Sequence, residues 1–238
     1  MPFCNWNYAK ILGMKLVNFD SDICITLSDR TDGNMKNPGL DNWVDDEIID
    51  NRRKFFATSG LMVERVALIR TSYPSDDYTQ YKIINEPGDY QISLPNDRIE
   101  RSDGMATTAH GIGLFLPIAD CLAVVIWDSV KKCLMVVHAG RHNLEQNGLI
   151  KAVEFLKLHG SQPWDMKAWF SPSAGAKNYP VHAFGGKSLV TVAKEQLEKA
   201  GVTQIKIDET DTTTSDQYYS HCQGDRDKRF AILAYIKA

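Results

Sequence analysis

Ten short apolar runs, each ended by turn residues, predict β-strands along the chain. They cover Lys15–Phe19, Ile23–Leu27, Val66–Thr71, Tyr81–Ile84, Leu114–Ile118, Leu122–Trp127, Leu134–His138, Ala168–Phe170, Val202–Ile207 and Phe230–Ile236. Several of these runs are apolar at every position rather than at every second one. That pattern is typical of strands that are buried on both faces.

Three segments carry the spacing and end signals of helices. The first, Asp45–Ser59, opens with acidic residues, which suit the positive end of a helix. The second is predicted to begin at Asn143, with Gln146 completing a capping box. The third is capped by Ser188 and ends before Gly201. Many strands interleaved with few helices predict an α+β or layered α/β fold with a mixed sheet.

Composition places the chain among ordinary globular proteins. It has 238 residues, of which 43% are hydrophobic and 24% are charged, and a net charge of −3. These values exclude disordered, collagen-like and membrane-bundle classes, and we expect one domain over residues 1–238. No basic stripe indicates a nucleic-acid partner, and no apolar run is long enough to span a membrane.

The same features predict a cytoplasmic location. The N-terminal residues lack the apolar core and cleavage site of a signal peptide. Five cysteines without a CxxC pair are an odd and sparse set, which is typical of free thiols in a reducing compartment.

The stretch 117–147 holds the strongest candidate for chemistry. If its two apolar strands form a hairpin with a two-residue loop at 129–130, Cys121 stands directly opposite His138 at the open end. A four-residue loop on the same centre keeps that pairing, and a three-residue loop makes the two residues diagonal neighbours. Opposed residues have Cβ atoms about 4.5–5.5 Å apart, which lets a thiol and an imidazole share a proton or a metal ion. Asp120, beside the thiol, is a candidate orienting group.

Other candidates depend on weaker signals. His142 follows His138 by four residues, a metal-chelating spacing on a helix, but the Ala-Gly pair between them indicates that the helix begins later. His110 precedes a strand that leads toward the thiol. Arg30 and Arg52 are candidate anion-binding side chains.

Several segments resemble the laccase-domain family, which is also described as multicopper polyphenol oxidase-like, peptidoglycan editing factor or purine nucleoside phosphorylase of the laccase-domain type. IADCLAVVIWD followed by MVVHAG resembles the family's ADC…HAG signature. Four other segments are similar to family elements in the same order: VDDEIIDNRRKFF, SDGMATTAHGIGLFLPIADC, SPSAGAKNYPV and YYSHCQGDRDKRFAILAYI. The chain is therefore identified as a divergent member.

The resemblance implies a single-domain α/β/β/α sandwich with mixed β-sheets and a zinc ion held by one Cys and two His. Cys121 matches the Cys of ADC, and His138 matches the His of HAG. The third family ligand lies in a Q-V-H motif, whose histidine position here holds Tyr73. A phenol is a poor zinc ligand, so His110 or His142 could replace it, or the metal could be absent. Copper is not expected, because six His without an HxH pair are too few for a multicopper centre.

Two further departures affect residues that would handle an anion. The family's HAGWRG is HAGRHN here, so Arg141 stands in place of Trp and His142 in place of Arg. Arg141 could restore the lost guanidinium and, with Arg30, hold phosphate. The paired Arg after the family's S-H is replaced by Cys222-Gln223.

Three functions remain open from the sequence. The favoured one is a zinc-type enzyme that phosphorolyses adenosine or inosine, with related deamination of adenosine; its ligands would be a nucleoside and phosphate. The second is a Cys-His amidase that edits nucleotide-linked peptidoglycan precursors, with Cys121 as nucleophile and His138 as base. The third is a degenerate member that binds a nucleotide or a protein without turnover. The sequence predicts no oligomeric state.

Overall fold

The structure is a computed structural model that describes residues 15–37, 45–71, 75–94 and 98–238. Within these ranges the strands are β1 Lys15–Leu16, β2 Ile23–Leu27, β3 Val66–Leu68, β4 Tyr81–Ile83, β5 Gly104–Thr107, β6 Gly113–Ile118, β7 Leu122–Asp128, β8 Cys133–Ala139, β9 Met166–Phe170, β10 Gln204–Ile207 and β11 Phe230–Ile236. The α-helices are α1 Asp46–Thr58, α2 Arg141–Glu145, α3 Gly148–Leu158 and α4 Leu189–Lys199. All ten predicted strands are present. The missed strand, β5, has the sequence GMAT, which lacks an apolar run.

The strands form two mixed sheets. The five-stranded sheet has the order β1-β2-β11-β6-β3, and the six-stranded sheet has the order β10-β9-β7-β8-β5-β4. In each sheet the central strands pair antiparallel, and parallel pairs lie toward the edges, as in β3–β6 and β4–β5. The prediction of mixed sheets is confirmed.

The two sheets pack face to face with helices outside them. Leu116 and Ile232 of one sheet share a buried cluster with Val125 and Val136 of the other. The outer face of the six-stranded sheet packs against α3 and α4, and the outer face of the five-stranded sheet packs against α1. Because side chains alternate between faces, the central strands are apolar at every position. This order of layers confirms the α/β/β/α sandwich.

The predicted caps are correct for α1 and α4 and wrong for the second helix. Ser188 accepts a hydrogen bond from the Thr191 amide at 3.1 Å, as expected of an N-cap. Asn143 instead lies inside α2, where its side-chain amide donates to the carbonyl oxygen of Tyr78. Gln146 accepts from the Tyr78 amide. The two polar residues that imitate a capping box therefore bind a distant segment.

The hairpin register differs from the prediction by two residues. Asp128 pairs with Cys133, and His138 pairs with Ala123, so the loop is 129–132. Asp128 Oδ1 accepts from the amides of residues 130 and 131, each at 2.9 Å, and this bonding holds the longer loop. A shift of two keeps every side chain on its face. Cys121 and His138 are therefore diagonal neighbours on the face toward the other sheet.

No helix in the described ranges is long and apolar enough to cross a lipid bilayer.

Candidate functional site

A cavity of about 450 Å³ opens at the edge of the layer between the sheets, where β6 and β8 end and β7 begins. Cys121 and His138 line it, together with the cations Lys36, Arg141 and Arg229. Volumes of this size accommodate small-molecule ligands. The structure therefore brings the predicted thiol and imidazole together in a cavity.

Gly140 keeps open the space that Cys121 and His138 share. A Cβ atom built on Gly140 would lie 3.3 Å from Cys121 Sγ and 3.3 Å from His138 Nε2. It would also lie 2.9 Å from His138 Cε1, which is too close for a real side chain. The glycine therefore leaves room between a sulfur and a nitrogen that face the same point.

Burial keeps both groups uncharged at neutral pH. It raises the pKa of the Cys121 thiol to about 11, although Tyr179 donates a hydrogen bond to the sulfur. Burial, with the charge of Arg229 beside it, lowers the pKa of His138 to about 4. The pair is therefore a thiol beside a neutral imidazole, not a thiolate–imidazolium ion pair of the kind that activates cysteine nucleophiles.

We expect this electrostatic arrangement to make Cys121 slow to alkylate. In protein treated with a chelator, labelling of Cys121 by iodoacetamide should be slow at pH 7 and rise about tenfold per pH unit up to pH 10, because only the thiolate reacts. Peptide mass spectrometry distinguishes Cys121 from the other cysteines. Rapid labelling that is already constant at pH 7 would contradict the expectation and favour the cysteine hydrolase.

Asp120 is buried at the cavity wall, and its carboxylate is bound by protein donors. Oδ1 accepts from Thr212 Oγ1 at 2.7 Å, and Oδ2 accepts from the Cys222 amide at 2.8 Å. The backbone oxygen of Asp120 accepts from the Ala174 amide at 2.9 Å. These contacts tie three loops to the start of β7. These contacts indicate that Asp120 positions the loops, rather than orienting the imidazole of His138 as predicted.

Two predicted anion-binding residues do not line the cavity. Arg30 forms an ion pair with Asp225 and donates from Nε to the carbonyl oxygen of Tyr218. Arg52 is buried, and it donates to the carbonyl oxygens of Met35 and Lys36. The prediction that Arg30 and Arg52 bind an anion in the cavity is therefore wrong, because protein acceptors already bind both guanidinium groups.

Arg141 and His142 do line the cavity. The Arg141 guanidinium lies over the ring of Tyr179, 5.6 Å from its centroid. The His142 ring stacks on Tyr78 at 4.8 Å, and its Nδ1 lies 3.3 Å from a carboxylate oxygen of Glu145. Arg141 is therefore the better placed of the two to receive an anion.

The structure does not bring His110 to Cys121. His110 pairs with Ile236 before β6 begins, and its ring contacts the carbonyl oxygen of Lys237. Cys121 follows the other end of β6, roughly 20 Å away at the usual rise per residue of a strand. His110 is therefore wrong as a third metal ligand. Tyr73 lies outside the described residues.

The donors that remain are of the right kind for zinc but too few. Cys121 supplies sulfur, and His138 supplies a neutral imidazole nitrogen, the form of histidine that binds metals. In the ranges that the structure covers, no group of three His, Cys, Asp or Glu side chains could hold a metal ion. These residues thus offer two of the three protein ligands of a catalytic zinc site.

Further residues of the cavity escaped the sequence analysis. Lys36, Tyr179, His221 and Arg229 come from segments far apart in the chain. Arg229 Nη1 donates to the carbonyl oxygens of Arg226 and Lys228, but neither Arg141 nor Arg229 has a carboxylate partner among the described residues. The cavity therefore combines unpaired positive charge with the Cys121–His138 pair.

Comparisons with known proteins agree with this structure. The family model described as multi-copper polyphenol oxidoreductase laccase matches residues 41–237. A purine nucleoside phosphorylase of Mycobacterium bovis is 24% identical over 207 residues, covering 79% of this chain and 78% of the relative. One from Xylella fastidiosa is 29% identical over 161 residues, covering 57% and 61%.

Solved structures show the same fold. The hypothetical protein YfiH of Bacillus licheniformis superposes with a TM-score of 0.81 at 19% identity and covers 96% of this chain and 98% of its own. YlmD from Geobacillus stearothermophilus gives 0.77 at 18% identity, covering 92% and 93%. With the family model spanning most of its length, the chain belongs to the multi-copper polyphenol oxidoreductase laccase family.

Proposed function

We propose that the chain is an enzyme that phosphorolyses purine nucleosides such as adenosine or inosine. Inorganic phosphate would attack C1′ of the ribose as the bond from C1′ to N9 of the base breaks. The products are the free purine base and ribose 1-phosphate. The names of the relatives support nucleoside processing in general, and the chemistry of the cavity supports the phosphate-dependent reaction.

The single observation that carries the proposal is the unpaired positive charge of the cavity. Arg141 and Arg229 line it without a carboxylate partner in the described ranges, and Lys36 pairs only with the exposed Asp227. Arginine binds phosphate oxygens through two parallel N–H donors. A phosphate between these cations would lie beside Cys121 and His138.

The uncharged half of the cavity suits the nucleoside. The hydroxyl of Tyr179 hydrogen-bonds without adding charge. Ile118 and Ala119 supply apolar wall. Neutral ribose and purine need such partners, so the nucleoside would bind next to the phosphate in the same cavity.

We also propose that Cys121 and His138 are two ligands of a zinc ion. Their convergence on the space beside Gly140 and the neutral state of the imidazole support this proposal. When bound, zinc would act as a Lewis acid toward an oxygen ligand.

We expect about one zinc per chain in the wild type by elemental mass spectrometry and less than about a tenth of that in Cys121→Ala, because ligand loss removes a large share of metal affinity. Cys133→Ala, which removes a buried thiol at the other end of the hairpin, is the control and should keep its zinc. Equal zinc in the wild type and Cys121→Ala would reject the assignment of this ligand.

The experiment that tests the function is a nucleoside assay with and without phosphate. Adenosine, inosine and guanosine are incubated with the protein, and released base is measured by liquid chromatography. Base release that depends on phosphate is the expected result. Conversion of adenosine to inosine without base release would indicate deamination, and no change in any nucleoside would favour a binding protein.

A further inference from the structure

The guanidinium of Arg52 is buried without a carboxylate partner among the described residues. Arg52 is 5% exposed, and burial lowers its pKa to about 10. Its Nη2 donates to the carbonyl oxygens of Met35, at 3.0 Å, and Lys36, and to Oδ1 of Asn37 at 3.1 Å. A buried charge without a countercharge is costly, so these hydrogen bonds must offset much of that cost.

The segment bound by this guanidinium forms part of the cavity wall. Lys36 and Asn37 line the cavity. The Met35 amide donates to the carbonyl oxygen of Arg229 at 2.9 Å, and Asn34 Oδ1 accepts from the Arg229 amide at 3.0 Å. Two of the cavity's cations, Lys36 and Arg229, therefore depend on one hydrogen-bonded segment.

We propose that Arg52 is a positioning residue for the anion side of the cavity. It fixes residues 35–37 and thereby holds Lys36, and through Met35 also Arg229, at the cavity wall. The inference rests on the phosphate-binding part of the proposed function. Arg52 itself does not line the cavity, so its loss acts on the binding of an anion through these two cations.

The geometry of arginine explains why this position needs a guanidinium. Nη2 serves three acceptors on three consecutive residues, while Nε is buried without a hydrogen-bond partner in the described ranges, and the planar group also lies over the ring of Phe115, 5.7 Å from its centroid. A lysine keeps the charge, but its ammonium lies one bond nearer to the main chain than Nη2 and offers no planar face to Phe115. Arg52→Lys therefore tests the bonding geometry rather than the charge.

The test measures binding of inorganic phosphate to the full chain by isothermal titration calorimetry. Arg52→Lys should raise the Kd about tenfold, which corresponds to about 1.4 kcal/mol. Lys36→Met should raise it similarly. Because Arg52 acts partly through Lys36, the two effects should not add fully, and the double variant should bind phosphate less than about tenfold more weakly than Lys36→Met alone.

Arg53→Lys is the matched control. Arg53 neighbours Arg52 on α1, but its side chain is 65% exposed and pairs with Asp50. Arg53→Lys should leave the Kd for phosphate within about twofold of the wild-type value, because exposed ion pairs contribute little. Arg52→Gln, which keeps one donor nitrogen and no charge, is the second variant if Arg52→Lys does not fold, and it should weaken phosphate binding at least as much.

Thermal unfolding separates positioning from a merely structural role. A lower Tm of Arg52→Lys with an unchanged phosphate Kd would overturn the inference, as would full additivity with Lys36→Met. Absence of saturable phosphate binding in the wild type would overturn both the inference and the phosphate-dependent function. If Arg52→Lys weakens phosphate binding but the protein releases no purine base, the inference stands and the proposed function fails.

Discussion

Replacing His138 with alanine is expected to lower kcat/KM for phosphorolysis by roughly 10²–10⁴-fold, the usual contribution of a side chain placed at the reacting groups. The imidazole is 6% exposed and shares the space beside Gly140 with Cys121 Sγ. Its removal eliminates one of the two groups that converge on that point. Steady-state assays with inosine at varied phosphate measure the loss.

The control for His138 is His159→Ala. His159 is an exposed histidine that follows α3, and its ring contacts the carbonyl oxygen of Phe155. It should retain activity within about twofold, as expected of an exposed position. His138→Gln provides a second variant with a polar side chain in place of the ring. Wild-type activity in a folded His138→Ala or His138→Gln protein would remove this residue from the site.

The second large effect is on stability: Asp120→Ala should lower the free energy of unfolding by about 2–4 kcal/mol. The substitution leaves Thr212 Oγ1 and the Cys222 amide without the carboxylate that they bind. It also places alanine at a φ of 71°, a backbone region that Asp and Asn tolerate better. Asp120→Asn keeps one acceptor and the backbone preference, so its loss should be smaller.

Urea denaturation of Asp120→Ala, Asp120→Asn and Asp216→Ala measures these differences. Asp216 is an exposed carboxylate in the same part of the chain as Thr212, and its loss should change the stability by less than about 0.5 kcal/mol. An Asp120→Ala protein as stable as Asp216→Ala would show that the buried carboxylate does not hold the loops of Thr212 and Cys222 to the start of β7.

The fold was predictable because its signals are local and repeated. The apolar runs of β6, β7, β8 and β11 indicate strands between two packed layers, and the cap at Ser188 defines the start of α4. The register of the hairpin was not predictable, because it depends on the hydrogen bonds that the Asp128 carboxylate accepts within the loop. A shift of two residues leaves the pattern of buried positions unchanged, so that pattern cannot detect the error.

The centre of the site was predictable and its charged wall was not. His138 belongs to β8 and Cys121 directly precedes the neighbouring strand β7, so their proximity follows from the pairing of these strands. Lys36, Tyr179 and Arg229 reach the cavity through tertiary contacts that no local pattern encodes. Arg52 was predicted at the ligand for its charge, whereas its burial and its three acceptors place it behind the wall.

The most direct test of the account is phosphorus NMR of the wild type incubated with inosine and inorganic phosphate. The account predicts a phosphomonoester signal from ribose 1-phosphate that grows in step with released hypoxanthine and is absent in His138→Ala. Hypoxanthine without a new phosphomonoester would mean hydrolysis, and no hypoxanthine would mean no cleavage. Either result would contradict the claim that the cavity of Cys121 and His138 transfers a ribosyl group to phosphate.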